Sequence, residues 1–253
     1  MSNSPLVSYT KLSPNHSGQR THVVDRITPH CVVGQCSVET LGNVFAPTSR
    51  QASCQYGIGV DGRVGMYVEE KNRSWCSSSN ANDQRAITIE CASDATHPYA
   101  FNDTVYAKLI ELCVDICKRY GKTKLLWLGD KTKTLNYEPA SNEMVLTVHR
   151  WFANKSCPGD WMYARMGDLA SKVTAKLGGS AGGTEKPADN QILYRVQTGA
   201  FSNKANADAM LQKVKAAGFD TYMVKVDNLY KIQVGAFSKK ANADAMAAKL
   251  KAA

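Results

Sequence analysis

An eighteen-residue segment of this chain occurs twice. Leu193-Tyr-Arg-Val-Gln-Thr-Gly-Ala-Phe-Ser-Asn-Lys-Ala-Asn-Ala-Asp-Ala-Met210 returns as Leu229-Tyr-Lys-Ile-Gln-Val-Gly-Ala-Phe-Ser-Lys-Lys-Ala-Asn-Ala-Asp-Ala-Met246, a period of 36 residues. A repeat of that length holds one small supersecondary unit, here a strand, a helix and a return strand. Ser202 and Ser238 are expected to cap the two helices, and Gly218 to end the first.

The resulting order is β-α-β-β-α, a ferredoxin-like α+β layout that lacks a fourth strand, because the sequence stops at Lys251-Ala-Ala253. That points to a shortened domain. Strand alternation assigns Tyr194, Val196 and Thr198, with Tyr230, Ile232 and Val234, to the helix-covered face. Leu193, Arg195 and Gln197 then share the open face with Leu229, Lys231 and Gln233. The stretch 178–190, Gly-Gly-Ser-Ala-Gly-Gly-Thr-Glu-Lys-Pro-Ala-Asp-Asn, has the composition of a flexible linker. We therefore expect a domain at 1–177, a linker at 178–190 and a small domain at 191–253. Charge follows that division. Lysines and arginines number 21 against 18 acids in residues 1–190, and 10 against 4 beyond. The small basic domain calls for an anionic partner surface, such as nucleic acid or a teichoic-acid-rich wall.

The larger part alternates strand and helix patterns irregularly, which predicts a mixed α/β sheet flanked by helices. Residues 26–33 read as a strand, and Ser37 as the cap of a helix to about Val44. Residues 52–60 and 63–69 form a hairpin about Asp61-Gly62. Residues 85–91 are a strand with Ile87, Ile89 and Cys91 on one face and Ala86, Thr88 and Glu90 on the other. A helix is expected from Asn102 or Asp103 to Tyr120, capped by Gly121. Strands follow at 124–128 and 144–148, then an amphipathic helix over 161–177. The eight cysteines lack the spacing of a secreted disulfide scaffold, so most are expected to be buried hydrophobes, including Cys113 and Cys117 on one helix face.

Chemistry concentrates in His149-Arg-Trp-Phe-Ala-Asn-Lys155-Ser-Cys157-Pro158-Gly159-Asp160. An imidazole, an ammonium and a thiol fall within nine residues, ahead of a forced turn. Mixed nitrogen and sulfur donors suit zinc, whose catalytic form takes three protein ligands. The third must come from elsewhere. His30, at the end of a strand, is the best partner, with His22 as its competitor and His16 behind both. Trp75, after the hairpin, is a candidate cleft wall, although Trp75, Trp151 and Trp161 also suit a core.

Four motifs occur in order: Ile-Thr-Pro-His30-Cys, the Ser53–Gly62 hairpin, Ile87-Thr-Ile-Glu90, and His149…Lys155-Ser-Cys157-Pro-Gly159. Over residues 20 to 170 the chain resembles the N-acetylmuramoyl-L-alanine amidases of the peptidoglycan-recognition-protein type, which include phage endolysins. The resemblance implies zinc held by His30, His149 and Cys157, with Glu90 as general base and Lys155 stabilising the oxyanion. The bond implied is the amide between the lactyl group of muramic acid and L-alanine. The chain departs from relatives at Gln55 and Cys76, where histidines are frequent, and at Cys54, where one branch has tyrosine. The tail resembles SPOR domains through Tyr194-Arg-Val-Gln197-Thr-Gly-Ala-Phe201 and its copy. That resemblance implies binding of peptidoglycan glycan strands across Arg195, Gln197, Leu229, Lys231 and Gln233.

Bacterial peptidoglycan is thus the expected partner. Nucleic acid is not, because the strand tyrosines fall on the buried parity rather than on an open stacking face. No run nears the roughly 18 apolar residues of a membrane span. Residues 1–10 have no signal-peptide pattern. We therefore expect an enzyme made in the cytoplasm and released to the wall, as phage or prophage endolysins are. The rivals are a cytoplasmic amidase of wall recycling and a non-catalytic recognition protein.

Overall fold

The computed structural model of the chain describes residues 3–178, 194–219, 221–226, 228–237 and 240–251. It divides into two compact units, Met1–Lys186 and Pro187–Ala253. Beyond Gly178 the expected linker lies outside the described residues, as do Leu193 and Ser238.

The first unit runs β1 (Val7–Thr10), β2 (His16–Gln19), β3 (Arg26–Cys31), α1 (Val38–Phe45), β4 (Tyr56–Ile58), β5 (Val64–Met66), β6 (Asn72–Ser74), α2 (Asn80–Arg85), β7 (Ala86–Cys91), α3 (Asp103–Arg119), β8 (Lys124–Leu126), α4 (Lys131–Leu135), β9 (Glu143–Leu146), α5 (Asp160–Tyr163) and α6 (Met166–Lys176). Seven strands form one sheet in the order β1-β5-β4-β7-β3-β9-β8. Every pairing is parallel except β4 with β5, the Asp61-Gly62 hairpin. Gly62 takes φ 80° in that turn. Glycine adopts such a conformation without steric cost. Strands β2 and β6 make a separate antiparallel pair.

The central strands are buried on both faces, as parallel strands covered from two sides must be. The two faces differ in chemistry. Ile27, Ile87, Ile89, Cys91, Met144 and Leu146 join Val105, Leu109, Leu112, Cys113 and Ile116 of α3 in one apolar core. Helix α3 starts at Asn102, whose side chain accepts from Val105 N. Gly121 follows its end with φ 67°, the left-handed cap expected there. Cys113 and Cys117 are fully buried in this core, as expected of packing residues. Helix α6 secures the sheet edge, because Thr174 Oγ1 accepts from Leu125 N (2.9 Å) and donates to Leu125 O (3.1 Å).

The opposite face is polar. Thr28 and Thr147 hydroxyls lie 2.7 Å apart, and Asn82 of α2 bonds both. Gln55 Oε1 accepts from Thr88 N, Thr88 Oγ1 and Ser74 Oγ. Each buried polar group in these two clusters has a partner, so they add little penalty and fix the sheet against α2 and β6.

Away from the site, Glu70 is fully buried and accepts from both terminal guanidinium nitrogens of Arg119 (2.6 and 2.7 Å) and from the hydroxyls of Tyr56 and Tyr120. Arg119→Met strands that carboxylate. The expected loss is about 3–5 kcal/mol of unfolding free energy in urea, read by tryptophan fluorescence. A change under about 1 kcal/mol would contradict this account.

The expected helix over 161–177 is broken, with α5 ending at Tyr163 and α6 starting at Met166. Arg165 N donates to Met162 O, while the Arg165 guanidinium donates to Trp161 O (3.0 Å) and lies over the Trp161 ring. A side chain has replaced the i→i−4 backbone bond. The buried positions 162, 166, 169 and 173 keep helical spacing across the break, so the pattern hides it.

The second unit holds β10 (Tyr194–Phe201), α7 (Lys204–Ala216), β11 (Tyr222–Val226), β12 (Leu229–Phe237) and α8 (Lys240–Lys251). Its sheet order is β10-β12-β11, antiparallel throughout, which is the expected ferredoxin-like core. Val196, Ile232 and Val234 are buried with Ala207, Val214 and Ala243 from the helices. The repeat is visible in detail: Lys204–Asp208 and Lys240–Asp244 form matching ion pairs at 2.7 Å. Gly218 takes φ 84° after α7, as expected. The cap of α7 is Asn203, not Ser202; its amide oxygen accepts from Ala205 N at 2.8 Å.

Candidate active site

Strands β7, β3 and β9 are adjacent and parallel. Open α/β sheets bind ligands beyond the carboxyl ends of such strands. His30 and Glu90 are register partners near the ends of β3 and β7, so their side chains leave the sheet on the same face. This is the polar face. His149 opens a short 3-10 turn just beyond β9.

Cys157 returns to the site through a loop closed by Arg150. The Arg150 amide donates to Cys157 O (3.1 Å), and its guanidinium bonds Ser156 O and Asp160 Oδ1 and lies over Tyr163. Gly159 follows at φ 84°. A Cβ there would meet Pro98 O at 2.8 Å and Tyr99 Cβ at 2.9 Å. Only glycine lets the two loops approach this closely.

His30, His149 and Cys157 can each place a ligand atom within 4.8 Å of the others. Cys157 Sγ is 3.3 Å from His30 Nδ1, and the imidazole rings of His30 and His149 are 5.0 Å apart. His30 is 1% exposed, and its Nε2 has no hydrogen-bond partner among the described residues. Burial, with His149 beside it, pushes the His30 imidazole well below its ordinary value. Burial next to Lys155 lowers His149 too. Both rings are therefore neutral, as metal ligands must be. Burial raises the Cys157 thiol. Two neutral imidazoles, a thiol and an orphaned buried nitrogen fit zinc.

Glu90 lies beside this triad, with Oε1 3.9 Å from His30 Nδ1. Burial, reinforced by the Cys31 thiol, pushes its carboxyl up to about 8. Its Oε2 is buried without a partner among the described residues. A cleft of about 910 Å³ opens here, lined by Glu90, His149, Cys157, Lys155 and Trp75, with Arg50 and Arg73 on its wall. Lys155 is exposed at the rim of that cleft. Trp75 lines the cleft, and its indole N–H donates to Ser17 Oγ at 2.7 Å. Trp151 is buried and stacks on Trp127. The two competitors fall elsewhere. His22 is exposed and bonds Thr21, and His16 lies in β2 with its Nδ1 accepting from Gly18 N.

The segment 76–79 also belongs to the site, and sequence reasoning reaches it only at Cys76, as a position where relatives often have histidine. Buried Asp83 accepts from the amides of Cys76 and Ser77 at 3.1 Å and so fixes this turn. The turn sets Cys76 Sγ 3.9 Å from Glu90 Oε1 and Ser78 Oγ 3.0 Å from His149 Nε2. The Ser79 cap of α2 is a further signal.

In the second unit Arg195 and Gln197 are exposed, and Leu229 and Lys231 half-buried. Gln233 shares the face expected of it with Tyr222 but is covered there. It is 8% exposed, because it sits on the central strand and its Oε1 accepts from the Tyr222 hydroxyl at 3.1 Å. Tyr222, its register partner on β11, is 45% exposed. The open face thus carries an aromatic ring that the repeat alone does not reveal.

Comparison with known proteins agrees with both readings. The N-acetylmuramoyl-L-alanine amidase profile matches residues 19–160, and the SPOR domain profile matches residues 190–253. Among solved structures, the peptidoglycan binding domain of the B. subtilis cell wall lytic enzyme CwlC is 49% identical, over 26% of this chain and 85% of that one, at TM-score 0.24. PlyL is 14% identical over 65% of this chain and 95% of that one, at TM-score 0.47. The N-acetylmuramoyl-L-alanine amidase LysC from Clostridium intestinale is 16% identical over 69% and 96%, at TM-score 0.42. No curated protein sequence matches. With the family profile covering more than half of the chain and including His30, Glu90, His149 and Cys157, the protein belongs to the N-acetylmuramoyl-L-alanine amidases and carries a C-terminal SPOR domain.

Proposed function

We propose that the first unit hydrolyses the amide joining the muramic acid lactyl group to L-alanine, using one zinc ion held by His30, His149 and Cys157. The observation that carries this reading is the convergence of three ligand atoms with Glu90 at the ends of adjacent parallel strands, inside a cleft. Zinc at that position supplies carbonyl polarisation and activation of water at neutral pH. The ionised form of Glu90, the minority form at neutral pH with its carboxyl pushed up to about 8, takes the proton of the attacking water and returns it to the leaving amine. The Lys155 ammonium is placed to meet the charge that develops on the amide oxygen. Ser78 orients His149 through Nε2, the kind of outer contact that fixes a ligand's tautomer. Arg50 and Arg73 give the cleft wall positive charge, which suits the carboxylates of a stem peptide.

The catalytic portion is 1–177, joined by a linker at 178–190 to a glycan-binding portion at 191–253. Arg195, Gln197, Leu229 and Lys231, with Gln233 behind Tyr222, supply the glycan surface. A wall-anchoring domain serves an enzyme working on insoluble peptidoglycan rather than on soluble fragments, so we favour a phage or prophage endolysin over a recycling amidase. The full ligand set argues against a non-catalytic recognition protein. Among the described residues no helix is long and apolar enough to cross a membrane.

Digestion of purified walls, followed by mass spectrometry and metal analysis, tests the bond and the ion together. The expected result is free L-alanine amino termini, no new reducing ends, and about one zinc per chain. New reducing ends without amino termini would overturn the assignment.

A further inference from the structure

His30 has two sets of neighbours. On one side stand His149 and Cys157, and on the other Cys76 and Glu90. The second set has ligand geometry of its own, since His30, Cys76 and Glu90 place one donor atom each within 4.8 Å of one another. Both His30 Nδ1 and Cys76 Sγ are 3.9 Å from Glu90 Oε1. A tetrahedral ion with bonds of about 2.0–2.3 Å holds its donors roughly 3.3–3.8 Å apart. The two edges that meet at Glu90 Oε1 are thus within a few tenths of an ångström of that span, and the third is no longer than 4.8 Å. Glu90 Oε2, the second oxygen of the same carboxylate, is buried and unpartnered among the described residues, as at a site that accepts a cation.

We infer that His30, Cys76 and Glu90 form a second, non-productive seat for zinc and for softer ions such as cadmium. This rests on reading His30, His149 and Cys157 as the productive seat. His30 is common to both, so the seats exclude each other. An ion in the second seat occupies the carboxylate that the hydrolysis needs. Thiolate, imidazole and carboxylate favour a thiophilic ion, and cadmium exceeds zinc in that respect. Cadmium held in the second seat keeps zinc out of the first and so inhibits the enzyme, whereas excess zinc alone leaves the ratio between the seats unchanged.

The test is a cadmium titration of the full-length chain as parent, Cys157→Ala, Cys76→Ser and the double variant. It is read by the ultraviolet cadmium–thiolate charge-transfer band and by metal retained after gel filtration. Cys157→Ala should still hold about one cadmium with a thiolate band, and adding Cys76→Ser should remove both. Absence of the band in Cys157→Ala, or its persistence in the double variant, would overturn the second seat. In the Cys76→Ser single variant the inhibitory cadmium concentration, measured at fixed zinc, should rise at least about tenfold over the parent, the usual scale for losing a metal contact. An unchanged inhibitory concentration would also count against it. Hydrolysis by Cys157→Ala reports on the productive seat alone, and activity retained there would overturn the reading beneath this inference.

Discussion

Glu90→Gln should lower kcat for wall hydrolysis by roughly 100- to 10,000-fold, the usual weight of a positioned general base. The amide side chain keeps the volume of the carboxylate, so His30 and Cys76, each 3.9 Å from Oε1, keep their surroundings. It cannot take the proton from water. Zinc content should therefore stay at the parental level, and the variant should still pellet with walls. Pelleting should depend on residues 191–253 and disappear when they are deleted. Turbidity decay, metal analysis and pelleting on the same preparations separate these roles. A Glu90→Gln enzyme within about tenfold of the parent would place the base on another residue. Pelleting that survives the deletion would take wall binding away from the tail.

The reach of sequence reasoning follows the kind of signal each residue emits. Glu90 is legible because period-2 alternation puts Thr88 and Glu90 on one face, and the structure shows that face to be the polar one. His30 is legible as the histidine at a strand end, and the Asp61-Gly62 hairpin from its turn chemistry. Ser78 and the placement of Cys76 beside Glu90 are not legible, because what fixes them is a buried carboxylate in no periodic pattern. Asp83 reaches back to backbone amides, and backbone amides carry no residue signature. The break at 164–165 is hidden for the opposite reason: the apolar pattern is continuous while the hydrogen bonding is not. In the second unit the repeat implies the return strand β11 but assigns faces only to β10 and β12. Tyr222 and its bond to Gln233 escape notice because the faces of that strand are not assigned.

Dialysis of the protein against a strong chelator should abolish hydrolysis, and stoichiometric zinc should restore it. The donors themselves explain why the effect should extend to stability. His30 is 1% exposed with an unpartnered Nε2, and the Cys157 thiol is held protonated by burial. A cation that engages these donors in the folded state alone stabilises it. At a thousandfold excess of zinc over its dissociation constant the gain is about 4 kcal/mol. For a unit of this size that corresponds to a rise in Tm of about 8–16 °C. Magnesium should restore neither property, because it demands oxygen donors in octahedral geometry and the triad offers nitrogen and sulfur. Differential scanning calorimetry and amide-release assays on chelated, zinc-restored and magnesium-treated protein make the comparison. Full activity in protein shown by metal analysis to be zinc-free would remove the ion from the mechanism and leave Glu90 to act without it.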